Sequence, residues 1–331
     1  MRLSNYLHQE RQAGRISSAM QQLITHIAQA CTRISAAIAQ GGIGNHLGVA
    51  GTHNSQGEVQ KKLDILSHAI FLEDCFSSGQ LAGIVSEETE TICYPAADDR
   101  SGPLLLAVDP LDGSSNIDNN ITIGSIFSIL PAVPERKKPE VLDFLQLGKN
   151  QLCAGYCMYG PSTLLVLSFG YGVDCFTLRR EDCTFALSYP QMRIPLKTQE
   201  FALNMSNQRY WDDGLQKYIF DVLQGELGPR KKNFNMRWTA SMVAEVHRIL
   251  MRGGLFSYPK DARHKDLGGH LRLLYEANPM AYLVEQAGGA ASNGHSRILD
   301  MQPTAIHQRV PVFLGSQEEV AKVAEYLSRS E

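Results

Sequence analysis

The apolar run Leu104-Leu105-Leu106-Ala107-Val108 leads directly into Asp109-Pro110-Leu111-Asp112-Gly113-Ser114-Ser115-Asn116. Two carboxylates three residues apart therefore stand at the end of a buried-strand pattern, followed by glycine and small hydroxyl residues. In α/β sheets, ligands collect at the carboxyl ends of strands. Carboxylates held this close repel one another unless a cation lies between them. Oxygen-only donors favour Mg2+ or Mn2+ over zinc. Pro110 stiffens the turn, Gly113 permits close backbone approach, and the N–H groups that follow can line up toward a phosphate. Asp-Pro and Asp-Gly are also common turn pairs, so the bare pentapeptide fits a plain turn equally well. The Ser-Ser-Asn extension at a strand end favours a metal–phosphate site.

A second acidic pair has the same placement: Leu81–Val85 runs into Ser86-Glu87-Glu88. Adjacent glutamates alone are usually surface charge. Two apolar strands that both end in paired acids can instead meet at one sheet edge and hold two metals for phosphoryl transfer. A third apolar run, Leu271–Tyr275, ends in Glu276. Other chemistry finds no support. Gly42-Ile43-Gly44-Asn45-His46-Leu47-Gly48 follows a helix pattern instead of a strand, and its last glycine is one place late for a dinucleotide fingerprint. No Walker loop and no Gly-x-Ser-x-Gly elbow occurs. His247 and His307 have no serine or cysteine context and read as structural.

The elements that must position these acids follow from periodicity. Met20, Leu23, Ile24, Ile27, Cys31, Ile34 and Ile38 recur at helical spacing up to Gly41-Gly42. Val59, Leu63, Leu66 and Ile70 give a second helix one apolar stripe. Leu81–Val85, Leu104–Val108, Ile121–Leu130, Leu164–Phe169 and Val173–Leu178 read as strands. Glu135-Arg136-Lys137-Lys138 between prolines reads as a solvated loop. Further on come helices at Asp212–Leu223 and Ser241–Met251 and a strand at Gly254–Tyr258. A last helix has Asn278 as N-cap, Pro279 at its first position and Gly288 after its end. The alternation predicts a layered α/β architecture.

Composition bounds the rest. The chain has 331 residues, 44% hydrophobic and 20% charged, which excludes a disordered or fibrous protein. A net charge of −3 argues against a nucleic-acid binder that works by neutralising phosphates. The start has no secretory signature, and no run of 18 apolar residues exists to span a membrane. Seven scattered cysteines without a Cys-x-x-Cys pair predict reduced thiols and a cytoplasmic setting.

The stretch Asp109–Asp118, DPLDGSSNID, resembles the signature of class I fructose-1,6-bisphosphatases. The likeness continues in KKLDIL (61–66), VSEET (85–89), SMVAEVHR (241–248), LRLLYEANPMAYLVEQAGG (271–289) and IHQRVPVFLGS (306–316), in the family's order. The inositol monophosphatase branch has a Thr directly after this Asp-Gly, where the present chain has Ser114. The resemblance implies a layered α-β-α-β-α sugar-phosphatase fold in two sub-domains, 1–193 and 194–331. It implies Mg2+- or Mn2+-dependent hydrolysis of fructose 1,6-bisphosphate in carbohydrate metabolism, including gluconeogenesis. Two or more metals per subunit and a homotetramer also follow.

Glu87, Asp109, Asp112 and Glu276, with the Leu111 carbonyl, resemble the family's metal ligands. Asp64 and Glu88 resemble the acids that position and deprotonate the attacking water. Gly113, Ser114 and Ser115, beside Asp112, match the loop for the 1-phosphate. Asn204, Arg237 and Tyr258 match the region for the 6-phosphate and sugar, with the arginine reaching in from a neighbouring subunit. Arg272 matches a further basic residue near the sugar. Three departures bear on affinity. His270 stands where a Lys is usual, which makes that phosphate contact weaker or titratable unless Lys265 substitutes. Trp238 replaces a common Tyr, and Asn207 stands where some members have Tyr. The alternatives are a sedoheptulose 1,7-bisphosphatase, alone or as a second activity, and a non-catalytic sugar-phosphate or nucleotide sensor.

Overall fold

The computed structural model describes residues 1–44, 47–53, 59–96, 102–134, 136, 138–263 and 268–329; Glu135, Lys137 and Lys265 lie outside them. Helices α1 (Leu3–Gln12) and α2 (Ser18–Gln40) precede a short hairpin, β1 (Val49–His53) and β2 (Val59–Lys61), and helix α3 (Lys62–Ser77). A seven-stranded sheet follows: β3 (Leu81–Ser86), β4 (Leu104–Asp112), β5 (Ile123–Pro131), β6 (Cys153–Tyr159), β7 (Thr163–Ser168), β8 (Asp174–Arg179) and β9 (Thr184–Tyr189). A single turn of helix, α4 (Val141–Phe144), lies between β5 and β6. β3 and β4 run parallel, and every later neighbour is antiparallel.

The second half contributes β10 (Glu200–Ala202), α5 (Asp213–Leu223), β11 (Asn235–Met236), α6 (Met242–Arg252) and β12 (Leu255–Tyr258). Then come the two-residue β13 (Leu271–Arg272), α7 (Asn278–Gln286), β14 (Ala290–Ser292), β15 (Arg309–Val310), β16 (Val312–Gly315) and α8 (Gln317–Ser328). Five of these strands form a mixed sheet in the order β11-β10-β12-β16-β14.

Packing stacks these elements in five layers. α1 to α3 cover one face of the large sheet through Leu7, Leu23, Ile27 and Phe71. α6 and α7 lie between the two sheets, with Val243, Val246, Met280 and Leu283 in one continuous core. α5 and α8 close the outer face of the small sheet through Leu215, Ile219, Val320 and Val323. β6 shows why its pattern is uniformly apolar. Cys153, Cys157 and Tyr159 face the first layer, while Ala154, Tyr156 and Met158 face the α6–α7 layer. A strand buried on both faces has no polar alternation to reveal it.

Three expectations are corrected. Val59 belongs to β2, and α3 begins at Lys62. The apolar run at 271–275 is a strand only over Leu271–Arg272; Leu273–Ala277 winds into a π-helical turn. α7 continues that turn, so Asn278 is helical and makes no cap bond. Its side chain is buried, and Gly148 lies against it so closely that a Cβ there would meet Asn278 Oδ1 at 2.5 Å.

Gly124 on β5 sets how near α6 can approach. A Cβ at this position would fall 2.6 Å from Val243 Cγ1 and 2.7 Å from the Cys157 carbonyl oxygen. Overpacking of this kind costs about 1–3 kcal/mol. Gly124→Ala is therefore expected to lower unfolding stability by roughly 2 kcal/mol in chemical denaturation. Unchanged stability would mean that α6 is not seated against β5 as described.

Candidate active site

β3 and β4 are parallel neighbours, so their carboxyl ends lie at the same edge of the sheet. β4 brings Asp109 and Asp112 there, and the residue after β3 is Glu87. Opposite β5, Asp109 pairs with Ile126 and Asp112 with Gly124, so three steps on β4 match two on β5. This bulge turns the strand between the two acids, as bulges beside functional sites do. Two hydrogen bonds hold it: Ser125 Oγ donates to the Pro110 carbonyl at 2.7 Å, and Leu111 N to Asp109 Oδ1 at 3.0 Å. The π-helical turn supplies the third acid, Glu276. Such turns are rare and concentrate at functional sites. Asp109, Asp112 and Glu276 are all buried and can each place a carboxylate oxygen within 4.8 Å of the others.

The three acids are held differently. Asp112 lies at the N-terminus of α6, where Ser241 Oγ and Val243 N donate to Oδ2 at 2.8 and 3.0 Å and Met242 N donates to Oδ1 at 3.3 Å. Glu276 accepts from Arg272 N at 2.5 Å. The Arg272 guanidinium reaches Glu87 at 2.8 Å and is itself buried. An arginine thus bridges two of the expected ligands. Burial raises the carboxyl pKa of Asp109 well above its usual range, reinforced by Glu87, Glu276 and Asp112. Burial also raises Asp112, against its three donors. Glu276 is pushed up to about 8, chiefly by burial, with Arg272 opposing. Oxygen donors alone, clustered and short of positive charge, fit a hard divalent cation.

Asp64 is buried in the first turn of α3 and accepts from Lys61 N at 2.7 Å and from Ser114 Oγ at 2.7 Å. Burial lifts its pKa, against those two donors. Ser114 Oγ also lies 3.0 Å from the Leu111 carbonyl oxygen. The structure therefore ties Asp64, Ser114 and Leu111 together. Gly113 has φ +83°, a left-handed conformation that opens the turn Ser114–Asn119. Glu88 accepts from Gln60 Nε2 at 2.5 Å.

Asn204, Asn207, Trp211, Trp238, Tyr258 and Asp261 line a narrow cleft. His270 stacks on Tyr258 with ring centroids 4.2 Å apart and planes 2° from parallel. Trp238 meets Tyr258 edge-on at 5.9 Å. Arg237, exposed beyond β11, does not line this cleft, and Arg272 is engaged with the acids. His247 Nδ1 lies 2.8 Å from Tyr156 Oη, and burial pushes its pKa down to about 4. His307 Nδ1 lies 2.8 Å from Tyr275 Oη.

Sequence reasoning missed what holds Asp112. A serine before a helical apolar run signals an N-cap, and Ser241 is one, with Oγ accepting from Ala244 N. The signal locates a helix start but not the acid that it faces. The Arg272 bridge also gave no signal, because it depends on the π-helical turn that carries Glu276.

Two family models match this chain: the fructose-1-6-bisphosphatase N-terminal domain over residues 3–190 and the C-terminal domain over residues 194–328. The structure is similar to that of Leishmania major fructose-1,6-bisphosphatase in holo form, with a TM-score of 0.92 and 35% identity over 99% of both chains. It is also similar to the apo form of that protein, with a TM-score of 0.88 and 34% identity over 99% of both chains. With an acid cluster at one sheet edge, a closely similar solved structure and family matches along nearly its whole length, the chain belongs to the fructose-1,6-bisphosphatase family.

Proposed function

We propose that this chain, a fructose-bisphosphatase by family, hydrolyses the 1-phosphate of fructose 1,6-bisphosphate to fructose 6-phosphate and phosphate with a divalent cation, Mg2+ or Mn2+. The observation that carries the reading is the buried Asp109–Asp112–Glu276 cluster, joined by one turn to Gly113–Ser115. When bound, a divalent cation supplies positive charge to the phosphate and to the departing oxygen. Asp109, Asp112, Glu276, Glu87 and the Leu111 carbonyl would hold it, and this donor number suits two or more ions per subunit. Gly113, Ser114 and Ser115 orient the 1-phosphate. Asp64 and Glu88 take the proton from the attacking water. For Asp64 the raised pKa suits that task, because a base poised nearer neutrality accepts a proton more readily.

Asn204, Tyr258 and His270 fit the remote phosphate and sugar, with Arg237 contributed by a second copy in a homo-oligomer, a tetramer in our reading. We divide the chain near residue 193, within the stretch between β9 and β10 that forms no regular element. Among the described residues no helix is long and apolar enough to cross a membrane. The seven cysteines are unpaired, which suits a reducing cytoplasm.

Phosphate release from fructose 1,6-bisphosphate, sedoheptulose 1,7-bisphosphate and their monophosphates, with and without Mg2+, tests the reading. Mg2+-dependent release from the fructose bisphosphate, exceeding that from the sedoheptulose compound, is expected. No release from any of them would leave the sensor reading instead.

The raised acid pKa values give a pH signature. An acid whose pKa is higher folded than unfolded adds stability at low pH and loses it as pH rises through the folded value. For Glu276 that window runs from the ordinary value of 4.5 to about 8. Metal-free protein should therefore lose thermal stability between pH 5 and 8 more steeply than its Glu276→Gln variant, and Mg2+ should reduce the loss in the wild type. Parallel melting curves for the two proteins would contradict this.

A further inference from the structure

One hydroxyl at the junction of the two sheets serves two partners. Ser241 Oγ accepts from Ala244 N at 3.3 Å, closing the first turn of α6, and donates to Asp112 Oδ2 at 2.8 Å. The residue is buried, 1% exposed, so water does not replace either bond. The opposing backbone is shaped to it: a Cβ on Gly113 would lie 3.1 Å from Ser241 Cβ. A second tie fastens the same junction, with Asn116 Nδ2 donating to the Thr239 carbonyl at 2.8 Å. The segment before α6 is thus bound to the turn that follows Asp112 at two points.

We propose that Ser241 is a positioning residue for the metal centre, its hydroxyl holding the Asp112 carboxylate in one orientation for the cation. The inference rests on the reading of Asp112 as a ligand. A carboxylate on Cβ can rotate about two bonds. The backbone N–H groups of Met242 and Val243 approach it from α6 alone. Among the described residues Ser241 adds the one side-chain donor, fixed because its lone pair is engaged by Ala244 N. The α6 N-terminus and the acids of β4 are thereby coupled, so a shift of α6 changes the geometry that a cation meets.

Helix capping alone is separable from positioning. A cap needs an acceptor, or a residue as permissive as glycine, which loses only a few tenths of a kcal/mol of helix stability at this place, whereas alanine loses more. Positioning needs a hydrogen donor to Asp112, which glycine and alanine both lack. The experiment is calorimetric titration of metal-free protein with Mn2+, with melting temperatures recorded alongside. Ser241→Gly and Ser241→Ala should both weaken Mn2+ binding about tenfold, the scale for losing one hydrogen bond to a charged group. Their melting temperatures should differ from each other, with glycine nearer the wild type. Wild-type affinity in Ser241→Gly would overturn the proposal while leaving the metal site standing. Absence of Mn2+ binding in the wild type would overturn the reading of Asp112 itself.

Discussion

Carboxylates within 4.8 Å of one another in a buried place repel, and burial removes the water that would screen them. The protein answers this repulsion in three ways. Burial, reinforced by the neighbouring acids, raises the carboxyl pKa of Asp109 and Glu276. Asp112 takes hydrogen bonds from three donors on α6. Arg272 lays its guanidinium on Glu87 and its backbone N–H on Glu276. Each answer is partial, and together they describe a site whose electrostatics are completed by a divalent cation.

The scaffold is arranged around that repulsion. No single element could bring the acids together, because neighbours on one strand point to opposite faces. The bulge between Asp109 and Asp112 turns β4 so that both acids reach one place. The π-helical turn adds Glu276 from between β13 and α7. α6 reaches the cluster from between the sheets, and Gly124 leaves room for it. The five layers thus do more than build a core. The middle layer, α6 and α7, delivers to the edge of the large sheet the donors and the acid that β4 lacks.

Much of this was legible in the residues. Asp109, Asp112 and Glu276 each followed an apolar run, and runs ending in acids point to a sheet edge. Ser17, Asp212 and Ser241 mark the starts of α2, α5 and α6 as caps, because capping chemistry is local. What the sequence hid depends on contacts distant along the chain. The apolar run Leu271–Tyr275 is extended only to Arg272, where pairing with the two-residue β15 ends. β6 carried no alternation because both its faces are buried. Ser241 and Asp112 are 129 positions apart, and no periodicity links them. Arg272 matches by resemblance a basic residue near the sugar, and its contacts with Glu87 and Glu276 depend on the fold.

The central claim is that the buried acids form one site for a divalent cation, and that their raised pKa values couple its binding to proton release. Binding of metal to carboxylates that hold protons must release those protons. The direct measurement is a pH-stat titration of metal-free protein with Mg2+ at pH 7.5, in the absence of substrate. The account predicts saturable release of about one proton or more per chain, lost in a variant with Asp109 and Glu276 both changed to their amides. Saturable Mg2+ binding with no proton release, or no binding at all, would contradict it.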